Sequence, residues 1–347
     1  MGPTERVARA RTAVAALALP PGSRALVACS GGPDSLALAA TLAHVAPRQG
    51  WVAGAVVVDH GLLPTSAADA ARAAATCERL GLPTEVRRAQ VAGRGGPEGA
   101  ARDARYAALT EAAGAEGIVL LGHTLDDQAE TVLLGLARGS GARSLAGMAP
   151  ATGRYRRPFL SLTRADTTGI CTDLGLTPLQ DPSNALDGPW RRADGGPLLR
   201  SALRHTVIPA LEEALGPGVV PALARTADLL RADADHLDAL ADEALARARV
   251  DDDATHAPSS SMTLEVAGLE RLPDAVRTRV VHRAIMGVAP PGARGAVGSR
   301  HVEAVDRLLV EYRGQGIAHL PGFVRARREG GRLVIEDQGE TRGREGR

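Results

Sequence analysis

Between residues 24 and 138 the chain alternates short apolar runs with amphipathic stretches, a pattern that few folds accommodate. Arg24–Cys29 (RALVAC), Val52–Asp59 (VAGAVVVD) and Ile118–Leu121 are of strand length, and Thr84–Ala89 is a weaker third run between them. Leu36–Val45, Ala67–Leu80, Glu98–Ala113 and Asp126–Arg138 carry alanine and leucine at helical spacing. Strands that are apolar throughout need cover on both faces, and the intervening helices supply it. The expected class is therefore α/β, a parallel sheet with helices on both faces. In such a sheet a ligand lies beyond the carboxyl ends of the strands, where the unusual residues of this chain cluster.

The flanks are read in the same way. Arginines at 6, 9 and 11 precede the apolar run Thr12–Leu19, which stops at Pro20-Pro21-Gly22. That run is short for a secretion signal and reads as a leading helix packed on the sheet. No stretch approaches the roughly 20 apolar residues a membrane span needs. With 347 residues, and about 150 per domain, two domains are expected. The character changes near Gly216-Pro217-Gly218, so the expected organisation is 1–215 as the sheet domain, 216–337 as a smaller, mainly helical domain, and 338–347 as a disordered tail rich in glycine and charge. Val219–Ala248 reads as one long helix, with further helices at Asp274–Met286 and His301–Tyr312 and a strand at Thr263–Ala267. Gly322–Glu336 reads as a hairpin about Glu329-Gly330-Gly331.

Composition narrows the chemistry. All 41 basic residues are arginine, against 40 acidic ones. The absence of lysine excludes Schiff-base chemistry, a pyridoxal phosphate anchor and a Walker-type phosphate lysine. The near-neutral balance excludes a generally polycationic nucleic-acid binder while allowing a local basic face. Aromatic residues are 2% of the chain, too few for a platform that stacks single-stranded RNA. Cys29, Cys77 and Cys171 are far apart without a C-x-x-C pair, which argues against disulfides or a cysteine-rich zinc site and favours a reducing cytoplasm.

Three constellations stand at strand ends. Ser30-Gly31-Gly32-Pro33-Asp34-Ser35 joins the first strand to a helix. Glycine N–H groups, hydroxyls and the helix dipole make such a turn a phosphate site that needs no lysine; the plainer reading is a tight βα turn. Gly122–Thr131 (GHTLDDQAET) follows the fourth strand. His123 and Asp127 are four apart, Asp127 and Glu130 three, so they share a face if the helix begins early. Carboxylates clustered without a basic partner repel unless a cation lies between them, and magnesium beside ATP phosphates suits that place. An acidic first turn that simply stabilises the helix dipole is the alternative. Asp59 and His60, ending the second strand, border the nucleotide crevice or serve as a helix-entry residue and a surface histidine. Arg102, Arg105 and Tyr106 share one helix face and are equally at home in surface salt bridges.

Together these segments resemble the tRNA(Ile)-lysidine synthetase family of PP-loop ATP pyrophosphatases. The carrying residues are SGGPDS (30–35), VDHGL (58–62), ARDARY (101–106), GHTLDDQAETVLLGLARGSG (122–141), RRPFL (156–160), DPSN (181–184) and SRHVEAVDRLL (299–309). Two departures are visible. Arg200-Ser201-Ala202-Leu203-Arg204 lacks the asparagine of the family's R-N-x-[IVL]-R, and residues 187–197 are inserted before it. The C-terminal half is also too short for the extra domain of longer members.

The resemblance implies an adenine nucleotide alpha hydrolase-like fold and the ATP-driven joining of free L-lysine to C2 of the wobble cytidine in a tRNA(Ile) with a CAU anticodon. Attack of the cytidine O2 on the α-phosphorus releases pyrophosphate, and the lysine ε-amine then displaces AMP. It implies ATP and Mg2+ as cofactors, with ATP over Ser30, Gly31, Gly32, Pro33, Asp34 and Ser35, bordered by Asp59 and His60. Asp34, His123, Asp127 and Glu130 are implied as catalytic, Asp127 and Glu130 as metal ligands, and Arg102, Arg105, Arg157, Arg200 and Arg204 as contacts to substrate or tRNA. Arg154–Arg157, Arg191-Arg192 and Arg325–Arg328 complete the expected basic face. A cytoplasmic location without membrane contact follows, and a homodimer stays open. Two alternatives share the fold: a PP-loop tRNA thiolase, which needs cysteines for sulfur transfer, and a non-catalytic tRNA-binding PP-loop protein, which would lose SGGPDS or DDQAE.

Overall fold

The computed structural model describes residues 2–61, 64–89, 96–139, 141–182, 185–192, 194–250 and 261–339. Leu62, Ser140, Ser183, Asn184 and Ala193 of the segments above, and 340–347 of the expected tail, lie outside the described residues. The chain packs as two compact units, 1–231 and 232–347. The expected junction at 215/216 lies just before the long helix within which this division falls.

Unit one begins with α1 (Glu5–Ala15), β1 (Arg24–Ala28), α2 (Pro33–Gln49), β2 (Val52–Asp59), α3 (Ser66–Arg79), β3 (Thr84–Arg88), α4 (Gly96–Ala113), β4 (Ile118–Leu120) and α5 (Leu125–Ala137). It continues with α6 (Ala142–Leu145), β5 (Ala151–Thr152), β6 (Tyr155–Arg156), α7 (Arg164–Asp173), α8 (Leu199–Ala202), a π-helical turn (Leu203–Val207), α9 (Ile208–Leu215) and the start of α10 (Val219–Ala248). The sheet order is β3-β2-β1-β4-β6-β5, parallel except for the β5–β6 pair. Alternate side chains of each strand enter opposite cores. Ala25, Val27, Ala55 and Val57 pack with α1, α2, α3 and α7, whereas Leu26, Val56, Val119 and Leu121 pack with Leu109, Ala112 and Ala113 of α4. Helices thus cover both faces, as the apolar strands require; the expected leading helix is present as Glu5–Ala15, earlier than the apolar run Thr12–Leu19, and packs on α2 and α7.

The order reverses at β1, which pairs with β2 on one side and β4 on the other. Crevices open at such a switch point, beyond the strand ends. Here the two segments that leave β1 and β4 touch: a Cβ on Gly122 would lie 3.0 Å from backbone atoms of Asp34 and Ser35. Glycine at 122 is therefore what lets them approach. Sequence periodicity does not reveal β5 and β6, because two-residue strands are too short to carry a period.

Unit two holds the rest of α10 and then β7 (Arg249–Val250), β8 (Ser261–Glu265), α11 (Val266–Leu269), α12 (Asp274–Val288), α13 (Pro291–Arg294), α14 (Ser299–Val310), β9 (Ala318–His319), β10 (Val324–Glu329) and β11 (Arg332–Asp337). The expected hairpin is β10–β11, with Glu329 opposite Arg332 across Gly330-Gly331. It forms the centre of a five-stranded antiparallel sheet, β7-β8-β11-β10-β9. Val280, Ile285, Val305, Leu309, Leu333 and Ile335 form its core with α12 and α14. Inside it the buried Arg277 bonds Asp306 at 2.7 Å, Asp274 at 2.8 Å and the Leu272 carbonyl. Among the described residues no single helix is long and apolar enough to cross a membrane.

Candidate active site

The 30–35 loop is closed by its own hydroxyls. Ser35 Oγ accepts from the Ser30 N–H at 3.1 Å, donates to the Gly32 carbonyl at 3.1 Å and lies 3.2 Å from Ser30 Oγ. Gly32 caps α2 and Pro33 opens it, where a missing N–H costs nothing. Gly31 has φ +82°, and a Cβ there would stand 2.6 Å from Leu179 and 3.1 Å from Ala73 of α3. Both the left-handed backbone and the close packing demand glycine. The result is a rigid turn at a helix N-terminus, the arrangement that receives phosphate.

Asp34 stands one residue into that helix. Burial raises its pKa above the usual carboxylate range, opposed by a hydrogen bond from Thr167 and by the charge of Arg164. Across the crevice, α5 begins at Leu125 with Thr124 as its cap. His123 therefore precedes the helix and does not share its face. Asp127 turns back to accept from the Thr124 N–H at 2.8 Å and its hydroxyl at 3.1 Å. Asp127 and Glu130 do lie together, on the side facing α7 and α8.

The expected lack of a basic partner is overturned. Arg164, the first residue of α7, sends Nη2 to Asp127 Oδ1 at 2.9 Å and to Glu130 Oε1 at 3.5 Å, with Nε 3.8 Å from Asp34 Oδ2. Its backbone N–H bonds Asp126 at 2.8 Å. Arg204 Nε reaches Glu130 Oε1 at 3.0 Å, and Arg200 Nη1 lies 3.6 Å from Oε2. Burial alone would raise the Asp127 pKa, but Arg164 and the Thr124 N–H hold it below the usual carboxylate value. The repulsion inferred from local sequence is thus met by arginines from two other segments, and among the described residues no three histidine, cysteine or acidic side chains converge as a ready metal site.

Both histidines of the site are pushed toward the neutral form. Burial depresses His123 to about 4, helped by Arg157, Arg102 and Arg200 against the opposing pull of Asp127. Burial likewise lowers His60, with Arg105 adding to it. The Nδ1 atoms of both are buried without a hydrogen-bond partner among the described residues. Asp59 accepts from the Gly61 N–H at 2.9 Å. Arg102 lies 5.0 Å over the Tyr106 ring. Desolvation and the like charge of Arg102 lower the Arg105 pKa.

The arginine clusters divide by environment. Arg157 is buried at 8% exposure and donates to the Ala149 carbonyl at 2.8 Å. Arg154 caps the Gly114 carbonyl, and Arg192 pairs with Asp194. Arg327 pairs with Glu329 and Glu336, whereas Arg328 donates to the Leu308 and Leu309 carbonyls and stacks on Tyr312. Much of the expected basic face therefore serves the fold locally. The residue that sequence reasoning missed is Arg164, a lone arginine after Thr163 with no charge pattern around it. Its only local signal is the helix start, Thr163 with Asp166 three residues on.

Residues 5–211 match the family model described as the PP-loop domain, and 264–334 match the TilS substrate binding domain. The chain is 53% identical over 331 residues to the tRNA(Ile)-lysidine synthase of Streptomyces coelicolor, covering 94% of this chain and 88% of that one. It is 50% identical to that of Thermobifida fusca, covering 96% and 98%. Among solved structures, the U34-tRNA thiolase NcsA of Methanococcus maripaludis superposes with a TM-score of 0.54 at 19% identity, over 65% of this chain and 79% of that one. That likeness is one of fold.

Proposed function

The chain belongs to the tRNA(Ile)-lysidine synthase family, and from that membership we propose how its own residues carry the reaction. The protein is an ATP-using enzyme that forms lysidine on tRNA(Ile). This reading is favoured over the thiolase and the non-catalytic alternatives by relatives matched over nearly the whole chain.

The 30–35 loop receives the pyrophosphate portion of ATP on the N–H groups of α2 and the Ser30 and Ser35 hydroxyls. The observation that carries this is the meeting of that loop with the carboxylate and arginine cluster across Gly122. The wobble cytidine enters the same crevice. Its O2 attacks the α-phosphorus, pyrophosphate leaves, and the lysine ε-amine then adds to C2 and expels AMP. The anticodon base is already unpaired, so bringing it to the loop costs little. Asp127, held ionised, receives the lysine ammonium. Asp34, whose pKa burial raises, is the better proton acceptor as the amine is released for attack. His123 acts through its neutral imidazole as a hydrogen-bond partner to substrate, and not as a cationic phosphate clamp.

Magnesium binds through one or two carboxylates plus substrate phosphates and keeps several waters. Asp34 Oδ2, which Arg164 approaches no closer than 3.8 Å, fits that need best, whereas Asp127 and Glu130 are both engaged by arginines and fit it less. The ion would supply charge neutralisation at the phosphates. Arg164, Arg200 and Arg204 contact this carboxylate cluster, Arg102 and Arg105 are the further arginines proposed to meet substrate or tRNA, and a cytoplasmic setting with tRNA and free lysine is the natural one.

The deciding assay is multiple-turnover pyrophosphate release from ATP, with tRNA(Ile) bearing CAU and with lysine each omitted in turn. Release should require both. Sustained release with another amino acid, or without lysine, would reject the reading.

A further inference from the structure

Glu130 lies behind its arginines. Its side chain is 0% exposed, while those of Arg164, Arg200 and Arg204 are 23%, 33% and 22% exposed. Oε1 takes Arg204 Nε at 3.0 Å and Arg164 Nη2 at 3.5 Å; Oε2 takes Arg204 Nη2 at 3.4 Å and Arg200 Nη1 at 3.6 Å. Both oxygens are engaged, so a molecule entering the crevice meets guanidinium groups before it meets this carboxylate.

We propose that Glu130 is a positioning residue that gathers Arg164, Arg200 and Arg204 into one anion-binding face for the phosphates of ATP, and is not itself a ligand of lysine or metal. The proposal rests on the ATP-using reading above. Three guanidinium groups repel one another unless a carboxylate draws them together. Each carries five donors in a planar fork; Arg164 divides its own among four carboxylates, but Arg200 and Arg204 spend only some of theirs on Glu130, which leaves the rest for an anion in front. The face lies beside the phosphate loop, since Arg164 also approaches Asp34 at 3.8 Å.

Local structure supports the same role. Arg204 lies in the π-helical turn Leu203–Val207, where the Ile208 N–H bonds the Leu203 carbonyl five residues back. Pro209 follows immediately and has no N–H to continue the regular ladder. A widened turn of this kind is frequent at functional sites. Ser201, which stands where the family's asparagine is expected, is buried at 4% exposure between the two arginines in sequence.

The test separates ATP binding from lysine use in the full-length protein. Calorimetry gives the affinity for ATP, and steady-state assays with tRNA(Ile) give KM for lysine, in the wild type, Glu130→Gln, Arg204→Gln and the double variant. Loss of one charge-assisted contact set should weaken ATP binding roughly 10- to 100-fold in Glu130→Gln, with KM for lysine little changed. Because Glu130 acts through Arg204, the double variant should lose less than the two single losses combined. Unchanged ATP affinity with a raised KM for lysine in Glu130→Gln would overturn the proposal. If that variant does not fold, Arg204→Gln decides: it must weaken ATP binding and spare the lysine KM, and the reverse overturns the proposal. A wild type that binds ATP yet does not consume lysine would reject the lysine reading alone, with ATP affinity still deciding the role of Glu130.

Discussion

Arg164 and Asp127, 37 residues apart in the chain, meet at 2.9 Å, and through this contact the start of α7 is fastened to the start of α5. The same guanidinium reaches Asp34, Asp126 and Glu130, so one cation serves four carboxylates from two helices. That concentration of charge is what permits Asp127 to stay ionised in a buried place.

Arg164→Ala should therefore destabilise unit one by about 2–3 kcal/mol, as expected for leaving partly buried carboxylates without their partner. Arg164→Lys should recover only part of this, because a compact ammonium cannot match the planar fork that spans several acceptors. Urea unfolding of both variants measures the difference. Equal stability of alanine variant and wild type would show the cluster to be balanced by the remaining arginines.

Gly31→Ala tests the phosphate loop. A left-handed backbone costs a non-glycine residue roughly 1–2 kcal/mol, and the new methyl would press on Leu179 at 2.6 Å. The loop must shift to relieve it, so the expected result is a raised KM for ATP together with a lower Tm. Ser35→Ala, which removes the hydroxyl that closes the loop without adding bulk, should raise KM for ATP with a smaller loss of Tm.

His123 makes a pH prediction of definite sign. Burial holds its pKa near 4 against 6.5 for the free side chain. Between these values the unfolded chain carries a proton that the folded chain does not, so stability falls as pH drops through this window. The full difference is up to about 3 kcal/mol below pH 4. In His123→Gln this contribution disappears, so between pH 6.5 and 4 the wild type should lose more stability than the variant. Parallel curves would mean that His123 titrates alike in the folded and the unfolded chain, with no depression by burial.

Much of this was legible from local pattern, and the failures have one physical cause. The apolar runs at 24–29, 52–59 and 118–121 announce a sheet covered on both faces, and the bounds of β2 and α10 coincide with the sequence reading. The DD-x-x-E spacing brings Asp127 and Glu130 to one side because both belong to one helix. Arg164, however, joins them from a segment 34 residues beyond Glu130, and no periodicity connects the two. The inference that the carboxylates lacked a basic partner looked only along the chain, whereas electrostatic partners are chosen in space. Equally, Arg154, Arg157 and Arg328 read as a basic face by composition, but carbonyls supplied by the fold take up their donors.

Phe323 invites a stabilising substitution. It has φ +61° and is 64% exposed, one of two non-glycine residues with positive φ among those described. A bulky side chain in that backbone region is strained, and its exposure means little packing offsets the strain. Phe323→Gly should stabilise unit two by about 0.5–1 kcal/mol, the strain relief being partly cancelled by the greater entropy of glycine in the unfolded chain. A fall in stability would show that the ring contributes packing after all.

Asp127→Asn separates the structural from the chemical duty of one side chain. The Asp127 carboxylate accepts from both the N–H and the hydroxyl of Thr124 at the start of α5. The amide oxygen of asparagine can still accept these bonds, so α5 should keep its first turn, but the amide NH2 then faces the Arg164 guanidinium, and the protein should lose about 1–3 kcal/mol. The negative charge facing Arg164, the proposed partner of the lysine ammonium, is removed, however. If that charge receives lysine, turnover should fall by roughly 10²-fold or more, while affinity for tRNA(Ile), measured by filter binding, stays within a few-fold of wild type. Unchanged turnover would reject Asp127 as the group that handles lysine. A matching loss of tRNA affinity would instead place its effect in the fold of the crevice.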